Sequence, residues 1–250
     1  MTLPREERLK TLGLWPIWRL RSAVAECDAG APMPAREAMM PAAEREAEEA
    51  AVATPPLRAI AGDIASLDWD ALRQAVASCT RCPLHESRTQ GVFGVGDIAA
   101  DWMIIGEAPG ADEDRQGEPF VGQAGKLLDA MLASIGLGRG DKVYIANILK
   151  SRPPGNRDPK PEEVAACIPY LERQIDLIRP KIILALGRFP AQSLLLTETS
   201  ISRLRGRVHE YRGVPMVVTY HPAYLLRNPA DKAKTWEDLC LARKIMTKEI

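Results

Sequence analysis

With 250 residues, 33 basic and 33 acidic side chains, the chain can bury a full core and carries no formal net charge. Length alone calls for one domain with an appendage or for two small domains, and the balanced charge leaves any basic surface to local clustering. Five cysteines are too few for a disulfide scaffold, which turns attention to their spacing instead.

The amino-terminal stretch has no cationic segment leading into an apolar one, and no apolar run approaches the roughly 18 residues a membrane helix needs. The expectation is a cytoplasmic, non-membrane protein, where Cys-x-x-Cys is more often metal-linked or catalytic than a structural disulfide. Residues 1–27 form a Trp-containing segment in which Leu12, Leu14, Trp15, Trp18 and Leu20 stand among basic residues. Two readings stay open for it: a short helix packed on the main domain, or a tethered peptide whose aromatics anchor a partner protein. Residues 28–67 are expected to be a linker, because the Ala/Pro/Glu-rich part over 28–56 holds too little apolar surface to offset ordering entropy.

From about Asp68 to the carboxyl end the pattern becomes regular and reads as one domain, 68–250. Short apolar runs at 102–105, 143–148, 181–186 and 215–220 predict buried strands, with helices expected over 122–136, 160–178, 189–196 and 231–248. Strands that alternate with helices and are apolar throughout imply an α/β fold with a mostly parallel sheet covered on both faces. In such sheets ligands bind beyond the carboxyl ends of the strands.

Those strand ends carry the chemistry. "GEAPG" (106–110) brings backbone N–H groups toward a ligand, with Glu107 the first carboxylate past a strand; it has neither the spacing nor the lysine of a P-loop. Phe120 sits in a loop between glycines, either a core plug or a flat platform for a base. Asn147 interrupts an apolar strand. Its carboxamide either braces a loop or reads the N3–H and O4 edge of a pyrimidine. His221 follows the last strand, as a core histidine or as a donor to an oxygen gaining negative charge. Basic residues cluster near these ends, among them Lys150, Arg152 and Arg157, then Arg203, Arg205, Arg207 and Arg212, then Arg227. Each cluster alone reads as a solvated face; their convergence suggests phosphate contacts. Tyr224, Leu225 and Leu226 add apolar wedges beside Arg227.

Four spaced stretches, "CTRC", "GEAPGADEDRQGEPFVGQAGKLL", "ANILKSRPPGNRDP" and "HPAYLLRNP", together resemble the family 4 uracil-DNA glycosylases, the iron–sulfur type, from about residue 72 onward. The resemblance implies a three-layer α/β/α fold, for which four central strands are expected, and excision of uracil from single- and double-stranded DNA by a monomer. It implies that Phe120 stacks on the flipped base, Asn147 reads its N3/O4 edge and His221 bonds its O2. Glu107 and the backbone at Ala108 would shape the water and sugar side, and Leu225–Arg227 would enter the duplex. Ala108 stands where some other glycosylase families place a water-activating Asp, which favours a dissociative route. No histidine lies between Lys150 and Cys167, so a variant that forms a covalent adduct through one is discarded.

The resemblance also implies a [4Fe–4S] cluster, with Cys79, Cys82 and Cys167 in three ligand places and Ser151 in the fourth. A serine oxygen is a harder ligand than thiolate and binds iron less readily. A serine- or water-ligated cluster, a three-iron cluster, a substitute ligand from Cys27 or Cys240, and no cluster at all stay open, as does zinc on three cysteines and His85. A non-catalytic iron–sulfur DNA-binding or redox-sensing protein on the same fold is the competing class. Such a binder need not keep Asn147, Phe120 and His221.

Overall fold

The computed structural model describes residues 64–247. The Trp-containing segment, Cys27 and the linker up to residue 63 lie outside the described residues. Packed structure begins ahead of Asp68: Ile64 is buried in a core cluster and the Leu67 carbonyl accepts from Arg173 Nε at 2.7 Å. The first long helix, α1 (Trp69–Ala77), starts where Asp68 caps it, Oδ1 accepting from Ala71 N at 2.9 Å.

Strands β1 (Val95–Gly96) and β2 (Trp102–Gly106) are followed by helices α2 (Ala111–Gln116) and α3 (Gln123–Ser134). Then come β3 (Val143–Asn147), α4 (Pro161–Ile178), β4 (Ile182–Leu186), α5 (Arg188–Leu195) and α6 (Ile201–Leu204). The chain ends on the hairpin β5 (Val208–Tyr211) and β6 (Val214–Thr219), then α7 (Pro222–Arg227) and α8 (Lys232–Thr247).

The sheet order is β1-β3-β2-β4-β6-β5, so the expected four strands become six. The inner four, β3-β2-β4-β6, are parallel as read from the apolar runs, while β1 and β5 pair antiparallel at the two edges. The edge strands carry no buried-strand signature. β1 is two residues long, and β5 is "VHEY", exposed at Val208 and Glu210 and half-buried at His209 and Tyr211. β5 is made by its turn: Arg212 and Gly213, at φ 51° and 80°, form a two-residue link of the type that matches strand twist.

Side-chain alternation along the inner strands splits the apolar residues between two cores. Met103 and Ile105, Tyr144 and Ala146, Ile183 and Ala185, Met216 and Val218 face α1 and α4. Trp102 and Ile104, Val143 and Ile145, Ile182 and Leu184, and Val217 face α3, α7 and α8. Two cores on one sheet are the three-layer α/β/α arrangement. From β2 the chain adds β3 on one side and then β4 on the other, so the crevice at the carboxyl end of β2 is a topological switch point. Glu107, Asn147, Gly187 and His221 all stand at or just past those ends.

Candidate active site

A cavity of about 450 Å³ opens at this switch point, and Glu107, Ala108, Phe120, Asn147, His221, Tyr224 and Arg227 all line it. Residues read from four separate stretches of sequence therefore meet in one place, in a volume suited to a small ligand.

Asn147 closes β3 and is 2% exposed, yet its Oδ1 has no hydrogen-bond partner. A buried carbonyl oxygen without a donor is costly and rare, so this one is kept for something that enters the cavity. Across the ladder, Gly106 makes room for it. A Cβ there would stand 2.3 Å from Asn147 Oδ1 and 2.6 Å from Phe120 Cζ.

Phe120 is held in the left-handed region at φ 57°, an uncommon conformation for an aromatic residue that the surroundings must enforce. Arg139 enforces it, donating to Pro119 O at 2.9 Å and Phe120 O at 2.8 Å, itself held by Asp129. Gly125 lets α3 approach, because a Cβ there would lie 1.7 Å from Phe120 O. Glu113 secures the rest of the loop: Oε1 accepts from Val121 N and Gly122 N at 3.0 and 3.1 Å, and Oε2 from Gly110 N at 3.1 Å. The Phe120 ring ends 5.5 Å from that of His221, tilted by 31°.

His221 caps α7, its Nδ1 accepting from Ala223 N at 3.1 Å. That bond puts the proton of the neutral ring on Nε2. Burial first, and then the Arg227 charge, push its pKa down to about 4, so at neutral pH it is an uncharged N–H donor. Glu107 moves the other way: burial and the nearby Asp158 carboxylate raise its pKa, partly relieved by Arg188, which pairs with Asp158 at 3.0 Å. Sequence reading missed Glu113, Arg139 and Asp158. Glu113 three residues after Gly110 had a local capping signal; Arg139 and Asp158 act across the fold and had none.

On the rim the structure corrects three expectations. Arg205 does not face DNA: Nε bonds Asp238 Oδ2 at 3.0 Å, Nη2 reaches Glu237 and the Lys234 carbonyl, and the side chain is 13% exposed. Asp238 is fully buried and needs that cation. Leu225 is no wedge either, being 1% exposed and part of the core. Tyr224 lines the cavity but is fixed in place, stacked 5.0 Å from Tyr220 with its hydroxyl donating to Asp231 at 2.6 Å. Leu226, 46% exposed, and Arg227 remain outward. Arg152 donates to Asn156 Oδ1 at 2.8 Å, on a loop that contributes Asn156 and Arg157 to the cavity.

Beyond Asn147 lies the cysteine corner. Cys79 and Cys82 pack against the core cluster that contains Cys167. Burial, above all, pushes the Cys167 thiol up to about 11, although its Sγ accepts from Lys150 N at 3.1 Å. Arg81, between the first two cysteines, lies over the Tyr170 ring, and its buried Nη1 has no hydrogen-bond partner. Three soft sulfurs and an unpartnered cationic N–H suit an anionic iron–sulfur group. The fourth place does not match them. Ser151 is buried and its Oγ accepts from Arg88 Nη1 at 2.8 Å. As the side chains stand, no three His, Cys, Asp or Glu among the described residues are gathered into a group that could hold a metal ion, so the donor set fits a cluster by its chemistry and not by its spacing here; His85 Nδ1 bonds the Cys82 carbonyl at 2.8 Å. Cys240 is corrected as a substitute ligand: its neighbours on α8, Leu239 and Ala242, pack on the opposite face of the sheet from Cys167.

A parallel-centred sheet between two helical layers, with an amide, an imidazole and an aromatic ring lining one cavity at its switch point, defines the class of α/β/α protein. Residues 93–240 match the Uracil DNA glycosylase superfamily, and the chain belongs to it. It is 53% identical over 172 residues to a type-4 uracil-DNA glycosylase of Archaeoglobus fulgidus, covering 66% of this chain and 85% of that one. A type-4 enzyme of Pyrobaculum aerophilum is 42% identical over 183 residues, covering 70% and 93%. A type-5 uracil-DNA glycosylase of the same organism is 32% identical over 189 residues, covering 63% and 83%. Among the described residues no helix is long and apolar enough to cross a membrane.

Proposed function

We propose that the chain is a DNA repair enzyme that takes uracil out of the base stack and hydrolyses its N-glycosidic bond, leaving an abasic site. The observation that carries this reading is the buried, unpartnered Asn147 Oδ1. Uracil offers it N3–H, while O4 accepts from the amide nitrogen; cytosine reverses both groups and would leave two buried pairs mismatched. Phe120 supplies a face for stacking beside His221.

As the C1′–N1 bond breaks, its electron pair moves onto the base and charge gathers at O2. The His221 Nε2–H is a neutral donor already fixed by its cap, so it stabilises this charge without reorganising. A water then bonds C1′, and Glu107, its proton affinity raised by burial and Asp158, takes the proton released. Ala108 offers no carboxylate to activate water earlier, which suits departure of the base ahead of attack. At the rim, Arg227 and Arg152 meet phosphate and Leu226 supports extrusion, which costs a few kcal/mol and least for a mispaired base. In this reading the enzyme acts as a monomer.

Cys79, Cys82 and Cys167 would hold an iron–sulfur cluster whose chemistry here is structural, clamping the segment before β1 to the loop after Asn147. The fourth ligand place would fall to Ser151, whose Oγ accepts from Arg88.

Incubation with uracil-containing oligonucleotides followed by alkali should cleave both single- and double-stranded substrate at the uracil and leave cytosine and thymine controls intact. Intact uracil strands in both forms would overturn the proposal.

A further inference from the structure

We propose that Lys150 is a positioning residue that sets the base-reading carboxamide by gripping the Asn147 backbone, and that the same residue ties this grip to Cys167. Lys150 is 2% exposed, yet its ammonium is fully paired: Nζ donates to Gln174 Oε1 at 2.7 Å, Asn147 O at 2.9 Å and Phe93 O at 3.2 Å. All three N–H groups are used on neutral acceptors, with no carboxylate among them. A methionine or leucine would fill this core without the penalty of burying a charge, so packing alone does not call for lysine here.

What the lysine supplies is a fixed place for one carbonyl. Asn147 is the last residue of β3, and its side-chain oxygen has no partner of its own to hold it. Past it the chain stays paired to the end of β2 and the residue after it through Ile148 N and Leu149 N, which donate to Gly106 O and Glu107 O at 3.0 Å. Lys150 closes the short loop back on Asn147, and Gln174 extends the grip, its Nε2 donating to Phe93 O at 3.0 Å and Tyr144 OH at 3.3 Å. The result is a polar knot beneath the carboxamide, anchored to β3 itself through Tyr144. On the other side, Lys150 N donates to Cys167 Sγ. One residue thus joins the floor of the cavity to the cysteine corner. For uracil recognition this role rests on the function proposed above; for the placement of the carboxamide it does not.

The test separates the two. In the full-length protein labelled with ¹⁵N-asparagine, the Asn147 side-chain resonance is assigned by its loss in Asn147→Asp and compared in Lys150→Met. Leu132→Ala, a truncation in the core on the other face of the sheet, is the control for general destabilisation. Lys150→Met is expected to shift or broaden the Asn147 signal while Leu132→Ala leaves it unchanged. In parallel, the inhibition constant for free uracil should rise about tenfold, the effect of one misplaced hydrogen-bonding group, with the KM for DNA moving less than about threefold because phosphate contacts lie elsewhere. An Asn147 signal unchanged in Lys150→Met overturns the proposal whatever the substrate. So does a uracil constant that moves no more than in Leu132→Ala. If the signal moves but the wild type neither excises nor binds uracil, the grip stands and the functional reading fails. Should Lys150→Met not fold, Gln174→Leu removes one acceptor of the knot and is read by the same signal, where no change again overturns it.

Discussion

Asn147 and Ser151 stand four positions apart on one loop, both buried, and their oxygens are treated in opposite ways. Asn147 Oδ1 has no partner and faces a cavity, whereas Ser151 Oγ is satisfied by Arg88, which also holds the Ala77 and Cys79 carbonyls. A buried polar atom left open marks a place for a ligand; one closed by the protein marks structure. The same contrast sorts the arginines. Arg227 lines the cavity, while Arg205 neutralises a carboxylate that would otherwise be buried alone.

The largest effect that tests this contrast belongs to Asn147. Asn147→Leu keeps the volume and removes both hydrogen-bonding groups, so uracil would desolvate its N3–H and O4 for nothing. A loss of about 10⁴-fold in kcat/KM is expected, measured by single-turnover excision, with the melting temperature unchanged or raised because an orphaned oxygen is gone. A melting temperature that falls sharply would mean that the carboxamide braces the fold, and the comparison with Ser151 would collapse.

Arg205→Ala comes next and should act on stability. It strands Asp238, which also accepts from Thr219 Oγ1 at 2.9 Å and Gly206 N at 3.0 Å, and breaking a buried pair of this kind costs about 3–5 kcal/mol. Denaturant unfolding should show the loss, while the salt dependence of DNA binding stays as in the wild type. Arg227→Ala should do the reverse: stability holds, and binding weakens with a shallower salt slope.

These contrasts explain which parts were legible in sequence. The inner strands were, because near-continuous runs such as Ile182–Leu186 can only be buried on both faces. So was the pocket, since the carboxyl ends of those strands locate it. β5 was not, because its existence follows from the Arg212–Gly213 turn, while its own residues read as one more stretch of a basic cluster. Arg205 and Leu225 were misassigned for one reason. Near a binding site, an arginine or leucine looks the same in sequence whether it points at DNA or inward, and only Asp238, 33 residues away, decides for Arg205. Arg139, 19 residues from the carbonyl of Phe120 that it holds, was likewise beyond any local pattern.

A smaller effect, in pH, follows from His221. Its pKa in the folded protein, about 4, lies below the ordinary 6.5, so the unfolded chain takes up a proton between these values and the folded one does not. The contribution to stability is therefore complete above pH 6.5 and is lost as pH falls toward 4. Followed by NMR, the His221 ring should stay uncharged through the mildly acidic range and titrate only as pH nears 4, where protonating Nδ1 breaks the cap to Ala223, while excision falls earlier as Glu107, with its raised pKa, takes up a proton. Removing the Arg227 charge should move the His221 titration upward in pH. His221→Ala should lower kcat by about 10²–10³-fold, the size seen when one donor to a developing anion is removed. A His221 ring that titrates at the ordinary 6.5 would break the account of a neutral donor held by its cap.

The smallest effect on catalysis, and the sharpest test of the other end of the loop, is Ser151→Cys. A thiol there completes a four-cysteine set with Cys79, Cys82 and Cys167, and Arg88 keeps its bonds to the Ala77 and Cys79 carbonyls at 2.8 and 3.1 Å. Protein purified without oxygen should bind more iron per chain than the wild type and lose it more slowly to a chelator, because thiolate suits iron better than a serine oxygen that Arg88 occupies. Uracil excision should stay within about twofold, since Lys150, which links Asn147 to this corner, keeps its bond to Cys167. Equal iron content in the two proteins would mean that Ser151 already serves as a full ligand. A large change in excision would mean that the two ends of the loop, one open to a base and one closed by an arginine, form a single unit.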